Sequence, residues 1–431
     1  MIGASVPDRS SPRPSDASQY LAPGADDRPV LATRALRESR SANNDIGLCL
    51  SGGGYRAALF HLGALRRLCE IGALAQVHTI SSVSGGSILA ARLAATAAHW
   101  RRQGATLAEW DQHVARPVAA FCARNIRTTA ILLGWASQAI GQTSVGARLL
   151  AARYRALNAG RLADLPDEPR FVFCATDMRH GVGWTFRRDR IGSYRAAYRP
   201  PGETTVATAT AVSSCFPPVF QPYQQAWMSG RRIWLTDGGV YDNLGLEPVW
   251  KDHGRLLVSN GGAPLGFAGT RCVFQRIQRY PNIMQSQAIA LRTRWLMSAF
   301  ELPAGAPGAR RGAYWSVASR VATYLADCPH LAGGTTAGAT RYPGYSATLV
   351  ARRIARIRTD LNSFTPGEQA VLQNHGYMLA AVAIDAYAPE LNPARLAVVP
   401  PFPEWMDEAR ADTALTGSDR RVSVWRALTG R

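Results

Sequence analysis

The sequence predicts an α/β fold built around a central, mainly parallel sheet, and three observations carry that expectation. A short apolar strand runs straight into a glycine turn and then a helix. The same strand, turn and helix pattern repeats at once. Further along, several strand-like runs end in glycine and polar residues together, which is where open α/β sheets place their ligand sites.

Residues 1–43 are rich in Ser, Pro, Asp and Arg and lack hydrophobic periodicity, so a flexible leader is expected, with order beginning near Asn44. Asp45 to Leu50 forms the first strand, Gly52-Gly53-Gly54 the turn, and Ala57, Leu59, Phe60, Leu62, Leu65 and Leu68 recur at helical spacing. The second unit follows as a β-branched strand over Val77 to Val83, the turn Ser84-Gly85-Gly86, and an alanine-rich helix over Ile88 to Ala98. Two such units in tandem imply parallel strands. The stretch from Leu107 to Leu162 reads as mostly helical and suited to capping the sheet. Phe171 to Thr176 is a buried strand, with Trp184 to Arg187 beside it, and Thr204 to Ser213 is a helix of small residues ending before Pro217-Pro218. Ile233 to Thr236 is a strand ending in Asp237-Gly238-Gly239, and Arg255 to Ser259 another ending in Asn260-Gly261-Gly262. Gly305 to Gly312 and Gly333 to Gly344 read as loops, and Pro366 to Ala386 as a helix with Thr365 at its N-cap and Glu368 three residues later.

Composition narrows the function classes. The chain has 431 residues, 47% hydrophobic and 18% charged, which fits a compact globular body with a substantial core. Its net charge is +19, and Lys251 is the only lysine, so the positive charge is almost all arginine. That balance reads either as a solvated basic surface or as attraction to an anionic one. The arginines are scattered, in short pairs such as Arg101-Arg102 and Arg352-Arg353, with no aromatic-interleaved basic motif, so nucleic acid is the weaker partner and an anionic membrane surface the better one. Seven cysteines show no C-x-x-C pair and no histidines at ligand spacing, so no metal, cofactor or disulfide framework is expected, and Cys49, Cys174 and Cys272 read as reduced core residues. The N-terminal residues lack the basic start and apolar stretch of a Sec signal, and no window reaches the roughly 18 apolar residues of a membrane span. A cytoplasmic location, peripheral to membrane, is expected, with export by another route left open.

Three stretches carry chemistry. Acyl hydrolysis needs a nucleophile on a sharp turn, a base for its proton, and fixed N–H donors for the oxyanion. Ser82-Val83-Ser84-Gly85-Gly86 fits the nucleophile elbow G-x-S-x-G, except that Ser82 replaces the first glycine, and it lies between a strand and a helix as that elbow requires. Ser84 sits at its centre and Gly86 at the second downstream position; Ser81, Ser82 and Ser87 are the competing neighbours. Gly52-Gly53-Gly54-Tyr55-Arg56 lies at a helix N-terminus, where backbone N–H groups converge on an anion. A nucleotide loop fits less well, because Ala57 breaks G-x-G-x-x-G and no G-K-[ST] follows. Arg56 either braces this loop through carbonyls or lies near a substrate phosphate. Asp237-Gly238-Gly239 delivers a carboxylate to the sheet edge that holds Ser84, although D-G-G alone is equally a turn.

Together these stretches resemble the patatin-like phospholipase family, including the branch with the cytosolic phospholipases A2, over about Ile46 to Asn260. Ala211 to Phe220 also looks like the family's segment between nucleophile and aspartate, and Arg358 to Asn362 and His375-Gly376-Tyr377 are similar to the tails of bacterial members. The resemblance implies a three-layer α/β/α fold with a mainly parallel sheet and helical insertions. It implies a catalytic core over 44–262, with a mainly helical C-terminal part over 263–431 packed on it. It implies a Ser-Asp dyad of Ser84 and Asp237 without a histidine, an oxyanion hole from Gly52, Gly53, Gly54 and Arg56, and cleavage of fatty-acyl esters of phospholipids or related substrates. Two departures stand out, Ala57 where many members have glycine and Ser82 at the elbow; neither removes a catalytic group.

Other readings stay open. An α/β-hydrolase triad would take its histidine from His253, His330 or His375, and Asp242 is the alternative base. His61 reads as a packed helix residue or a cleft residue. The fold retained as a lipid-binding module without catalysis is a different class. For long acyl chains, Ile131 to Leu150 and Trp295 to Phe300 are the expected walls of an apolar cleft.

Overall fold

The computed structural model of the chain describes residues 44–102, 104–138, 140–265, 273–331 and 341–420. The expected leader, Cys272 and most of the Gly333 to Gly344 loop lie outside them.

Strand β1 (Ile46–Leu50) leads into helix α1 (Gly54–Glu70), and β2 (Val77–Val83) into α2 (Gly85–Ala95), so the two tandem units form where their periodicity places them. Helices then fill the region expected to cap the sheet, among them α3 (Arg127–Gln138) and α4 (Val145–Tyr154). Next come β3 (Arg170–Asp177), β4 (Val182–Phe186), β5 (Ile191–Ser193), β6 (Ala197–Arg199), helix α5 (Val206–Ser213), β7 (Tyr223–Ala226), β8 (Arg232–Asp237) and β9 (Arg255–Asn260). The chain continues through helix α6 (Val273–Glu301), β10 (Arg311–Ser316) and helix α7 (Pro366–Tyr387). Part of the expected Gly305 to Gly312 loop is therefore strand: Arg311 and Gly312 open β10, which pairs in parallel with β9.

The sheet is mixed. Its order is β10-β9-β1-β2-β3-β4-β5-β6, with β10 through β3 parallel and the remaining strands antiparallel. Alternation along the parallel strands feeds two cores. Leu48 and Leu50 of β1 and Leu257 of β9 point into the main core, whereas Cys49, Leu256 and Val258 point to the opposite face and pack with Leu296 of α6. Helices thus cover both faces, giving three layers.

Helix α7 carries the expected capping box, with Thr365 and Glu368 each accepting from the other's backbone N–H. It is buried along almost its whole length against α1. Two glycines permit that approach, since a Cβ on Gly63 would overlap the Gln373 carbonyl and one on Gly376 would overlap that of Phe60. Among the described residues no helix is long and apolar enough to cross a membrane.

Candidate active site

Register explains how the serine and the aspartate meet. β2 runs parallel to β3 and ends with Val83 opposite Cys174. β8 runs antiparallel to β3 along the same edge and ends with Asp237 opposite Ala175. The two strands therefore approach each other end to end beside β3, and the residue that leaves β2 is Ser84.

Ser84 is forced to φ 50°, ψ −114°, a conformation that L-residues rarely adopt outside functional turns. Its neighbours make the turn possible. A Cβ on Gly85 would overlap the Gly54 carbonyl, and one on Gly86 the Leu50 carbonyl. Ser82 departs from the elbow pattern at no conformational cost, because its φ is negative; its hydroxyl donates to Val172 O (3.2 Å) and accepts from Ser87 (3.0 Å). A further serine braces the elbow from α5: Ser213 Oγ accepts from the Ser84 N–H (2.9 Å) and donates to Cys174 O (2.7 Å).

Asp237 is 1% exposed. Its Oδ1 accepts from the Gly239 N–H (2.7 Å), while Oδ2 has no partner at hydrogen-bonding geometry. Burial pushes the carboxyl up to about 7, against opposing contributions from the Gly239 N–H and the Ser84 hydroxyl. The Ser84 hydroxyl thus lies close enough to Asp237 to favour the ionised carboxylate.

Of the four expected oxyanion residues, the structure separates two pairs. The N–H groups of Gly53 and Gly54 have no acceptor among the described residues, and the same holds for Gly85. Gly52 and Arg56 are a correction. The Gly52 N–H already donates to Asn243 O (3.0 Å), and Arg56 lies buried beneath the loop. Its guanidinium donates to Gly261 O through Nε (3.0 Å) and Nη2 (2.8 Å) and to Ile357 O through Nη1 (2.8 Å). Arg56 braces the loop: three of its five N–H donors go to these carbonyls, and the buried side chain does not line the cleft. The far side of the loop is held by Asp360, whose carbonyl accepts from the Tyr55 N–H (2.9 Å) and whose carboxylate pairs with Arg127.

A cleft of about 640 Å³ opens over these residues, lined by Ser84, Asp237, Gly52 to Gly54, Asn243, Phe216, Val219, Phe220, Ala263 to Leu265, Leu361 and the α6 residues Gln285, Ser286 and Ile289. Its walls correct the sequence expectation. Ile131 of α3 is buried, and Gly134 packs against Gly146 of α4 while its carbonyl accepts from Gln221. Trp295 packs against Trp250, with ring centroids 3.7 Å apart and the planes tilted by 33°. Neither stretch faces the cleft; Phe216 to Phe220 and the middle of α6 do. Asn243, which sequence reasoning passed over, fills the space between the glycines: a Cβ on Gly52 would overlap its Oδ1, and one on Gly239 would come within 2.5 Å of it. Its place six residues after Asp237 was visible, but no spacing rule marks an asparagine there.

The competing residues are engaged elsewhere. Asp242 accepts from the Leu244 and Glu247 N–H groups and pairs with Arg292 at 3.4 Å. His253 Nδ1 contacts Val249 O, His375 Nε2 contacts Val317 O, and His330 is exposed; none lines the cleft. His61 bridges Ser259 Oγ (2.7 Å) and Ser51 O (3.0 Å), and burial lowers it to about 4, so it is a neutral packing residue under the loop. Among the described residues no group of three or more His, Cys, Asp or Glu side chains is placed to hold a metal ion.

No curated protein sequence matches the chain. Among solved structures it is similar to human GIVD cytosolic phospholipase A2 in complex with a methyl gamma-linolenyl fluorophosphonate inhibitor and terbium chloride, at 13% identity and TM-score 0.46, covering 90% of this chain and 64% of that one. It is also similar to VipD from Legionella pneumophila, at 15% identity and TM-score 0.36, covering 80% of this chain and 67% of that one. The chain thus spans somewhat less than two thirds of the human protein it matches. Residues 48–250, which hold Gly52 to Gly54, Ser84 and Asp237, match the family model for patatin-like phospholipase, and the chain therefore carries a patatin-like phospholipase domain.

Proposed function

We propose that the protein is a serine lipid hydrolase that cleaves fatty-acyl esters of phospholipids or related glycerides through a Ser84–Asp237 dyad. The observation that carries this reading is the end-to-end meeting of β2 and β8, which sets a strained serine beside a buried carboxyl raised to about 7. An aspartate with an ordinary carboxylate value is a poor base at neutral pH; one near 7 is matched to the task.

In the acylation step Asp237 takes the Ser84 hydroxyl proton as Oγ attacks the ester carbonyl. The tetrahedral oxyanion is held by the Gly53 and Gly54 N–H groups, with Gly85 as a third donor. Collapse expels the alcohol, which recovers the proton from Asp237 and leaves an acyl-serine. Water then gives a proton to the same carboxylate, attacks the acyl carbon, and releases the fatty acid with Ser84 reprotonated. Phe216, Val219, Phe220 and Leu361 supply apolar surface for the acyl chain.

The test is fatty-acid release from mixed phospholipid vesicles by the wild type beside Ser84→Ala and Asp237→Asn. Loss of at least about 10³-fold in both is expected. Undiminished release by either variant would refute the dyad.

A further inference from the structure

Helix α6 buries Leu296 and Ala299 near its C-terminal end, but along its middle it exposes apolar residues that a surface helix ordinarily buries. Toward the cleft it presents Arg279, Asn282, Gln285, Ser286 and Ile289, four of them polar. On the opposite side Ile277, Tyr280, Met284 and Leu291 are 59%, 60%, 66% and 59% exposed, and Trp295 is 41% exposed. At 100° per residue these five positions fall within a sector of roughly 60°. A surface helix normally buries its apolar stripe, and a contiguous exposed one marks a docking surface.

Charge identifies what docks. From Val273 to Glu301 the helix has four arginines and one acidic residue, the terminal Glu301; Arg292 pairs with Asp242 and Glu247. Helix α3, which begins at the cleft residue Arg127, likewise exposes Leu133 and Trp135, and no charged residue occurs from 128 to 147. Exposed apolar and aromatic groups flanked by arginine and poor in carboxylates suit the boundary between acyl chains and anionic headgroups. The helix is also tied to the site, because Gln285 Nε2 donates to the Gly239 carbonyl (2.7 Å) and the Gly239 N–H holds Asp237 Oδ1.

We propose that the outward stripe of α6 is a lipid-docking face that seats the protein on an anionic phospholipid surface, with the cleft on the inner side of the same helix. This names the partner of the hydrolase site and so rests on that reading, but binding can be tested without catalysis.

The probe is a vesicle of phosphatidylcholine with phosphatidylglycerol, and binding is followed by co-sedimentation of the full chain carrying Ser84→Ala, so that the lipid stays intact. Adding Ile277→Ser, Met284→Ser and Leu291→Ser should weaken binding at least about tenfold, while Ile277→Leu with Met284→Leu should preserve it. Equal binding by the serine and leucine versions would overturn the proposal, as would a failure of the Ser84→Ala chain to bind or equal binding to pure phosphatidylcholine. A wild-type dimer that the serine substitutions split would assign the face to a second copy of the chain and overturn the lipid reading. If vesicles bind as expected but the wild type releases no fatty acid, the docking face stands and the hydrolase reading falls.

Discussion

Replacing Asp237 by asparagine should make the protein inactive and, above neutral pH, more stable. The carboxyl is raised from 3.8 to about 7, chiefly by burial. A rise of about three units corresponds to about 4 kcal/mol. Its sign follows from proton binding: between these two values the folded chain holds a proton at Asp237 that the unfolded chain has released. Stability from this group is therefore full below about pH 4 and is lost as pH rises to about 7. Asparagine keeps an acceptor for the Gly239 N–H and removes the buried charge, at the cost of about 1–3 kcal/mol for an amide donor left where Oδ2 has no partner. The net gain expected at pH 8 is about 1–3 kcal/mol. The difference between the gain at pH 8 and that at pH 4, in which the amide cost cancels, should be about 4 kcal/mol. Urea denaturation of both proteins at the two pH values measures it. In parallel, wild-type kcat/KM on a soluble ester should climb with pH and level off above about 7, as the base ionises. A variant less stable than wild type at pH 8 by more than at pH 4, or a rate that levels off near pH 4, would refute the account of a carboxylate destabilised by burial.

The Gly52 to Arg56 loop offers two sharper perturbations, and one helix cap provides a control. Gly54→Ala places a Cβ at φ +58° within 2.6 Å of the Asp360 carbonyl, so the loop must shift and ester turnover should fall at least about 100-fold, read by steady-state kinetics. Arg56→Ala strands the Gly261 and Ile357 carbonyls in the interior and should cost about 3–5 kcal/mol in urea denaturation, with lysine unable to restore both contacts. Thr365→Ala removes the side-chain half of the α7 capping box and should lower stability by about 1 kcal/mol while leaving turnover unchanged.

What could be read in the sequence was what local patterns determine. The strand Val77–Val83, its turn at Ser84-Gly85-Gly86 and the capped helix from Pro366 announce themselves through β-branching, glycine and a Thr-x-x-Glu box, signals contained within a few residues of each element. β10 gave no such signal. Its residues become a strand because β9 offers them a parallel partner, and that partner lies 56 positions upstream in the register Arg311 to Arg255. The cleft walls failed for a related reason: Ile131 and Trp295 are apolar at helical spacing, but which neighbour an apolar residue meets is set by tertiary packing. The exposed stripe of α6 shows the limit most clearly, since its sequence is equally compatible with facing inward.

The meeting of Ser84 and Asp237 lies between these cases. Each residue is marked locally, one by the elbow and one by a strand that ends in Asp-Gly-Gly, but nothing local says that β8 runs antiparallel to β3 along the edge β2 has just vacated. Had β8 run parallel to β3 there, the end carrying Asp237 would point away from Ser84, and its sequence would look no different. The orientation is fixed instead by the chain that precedes it. β7 and β8 form an antiparallel pair, Thr236 Oγ1 donates to Cys215 O (2.7 Å), and the Asp237 N–H donates to the same carbonyl (3.2 Å). Cys215 lies two residues past the end of helix α5, the helix whose Ser213 braces the Ser84 elbow. One short segment, Ser213 to Cys215, thus holds the backbone of Ser84 on one side and the strand of Asp237 on the other, and through it two distant motifs reach a common site.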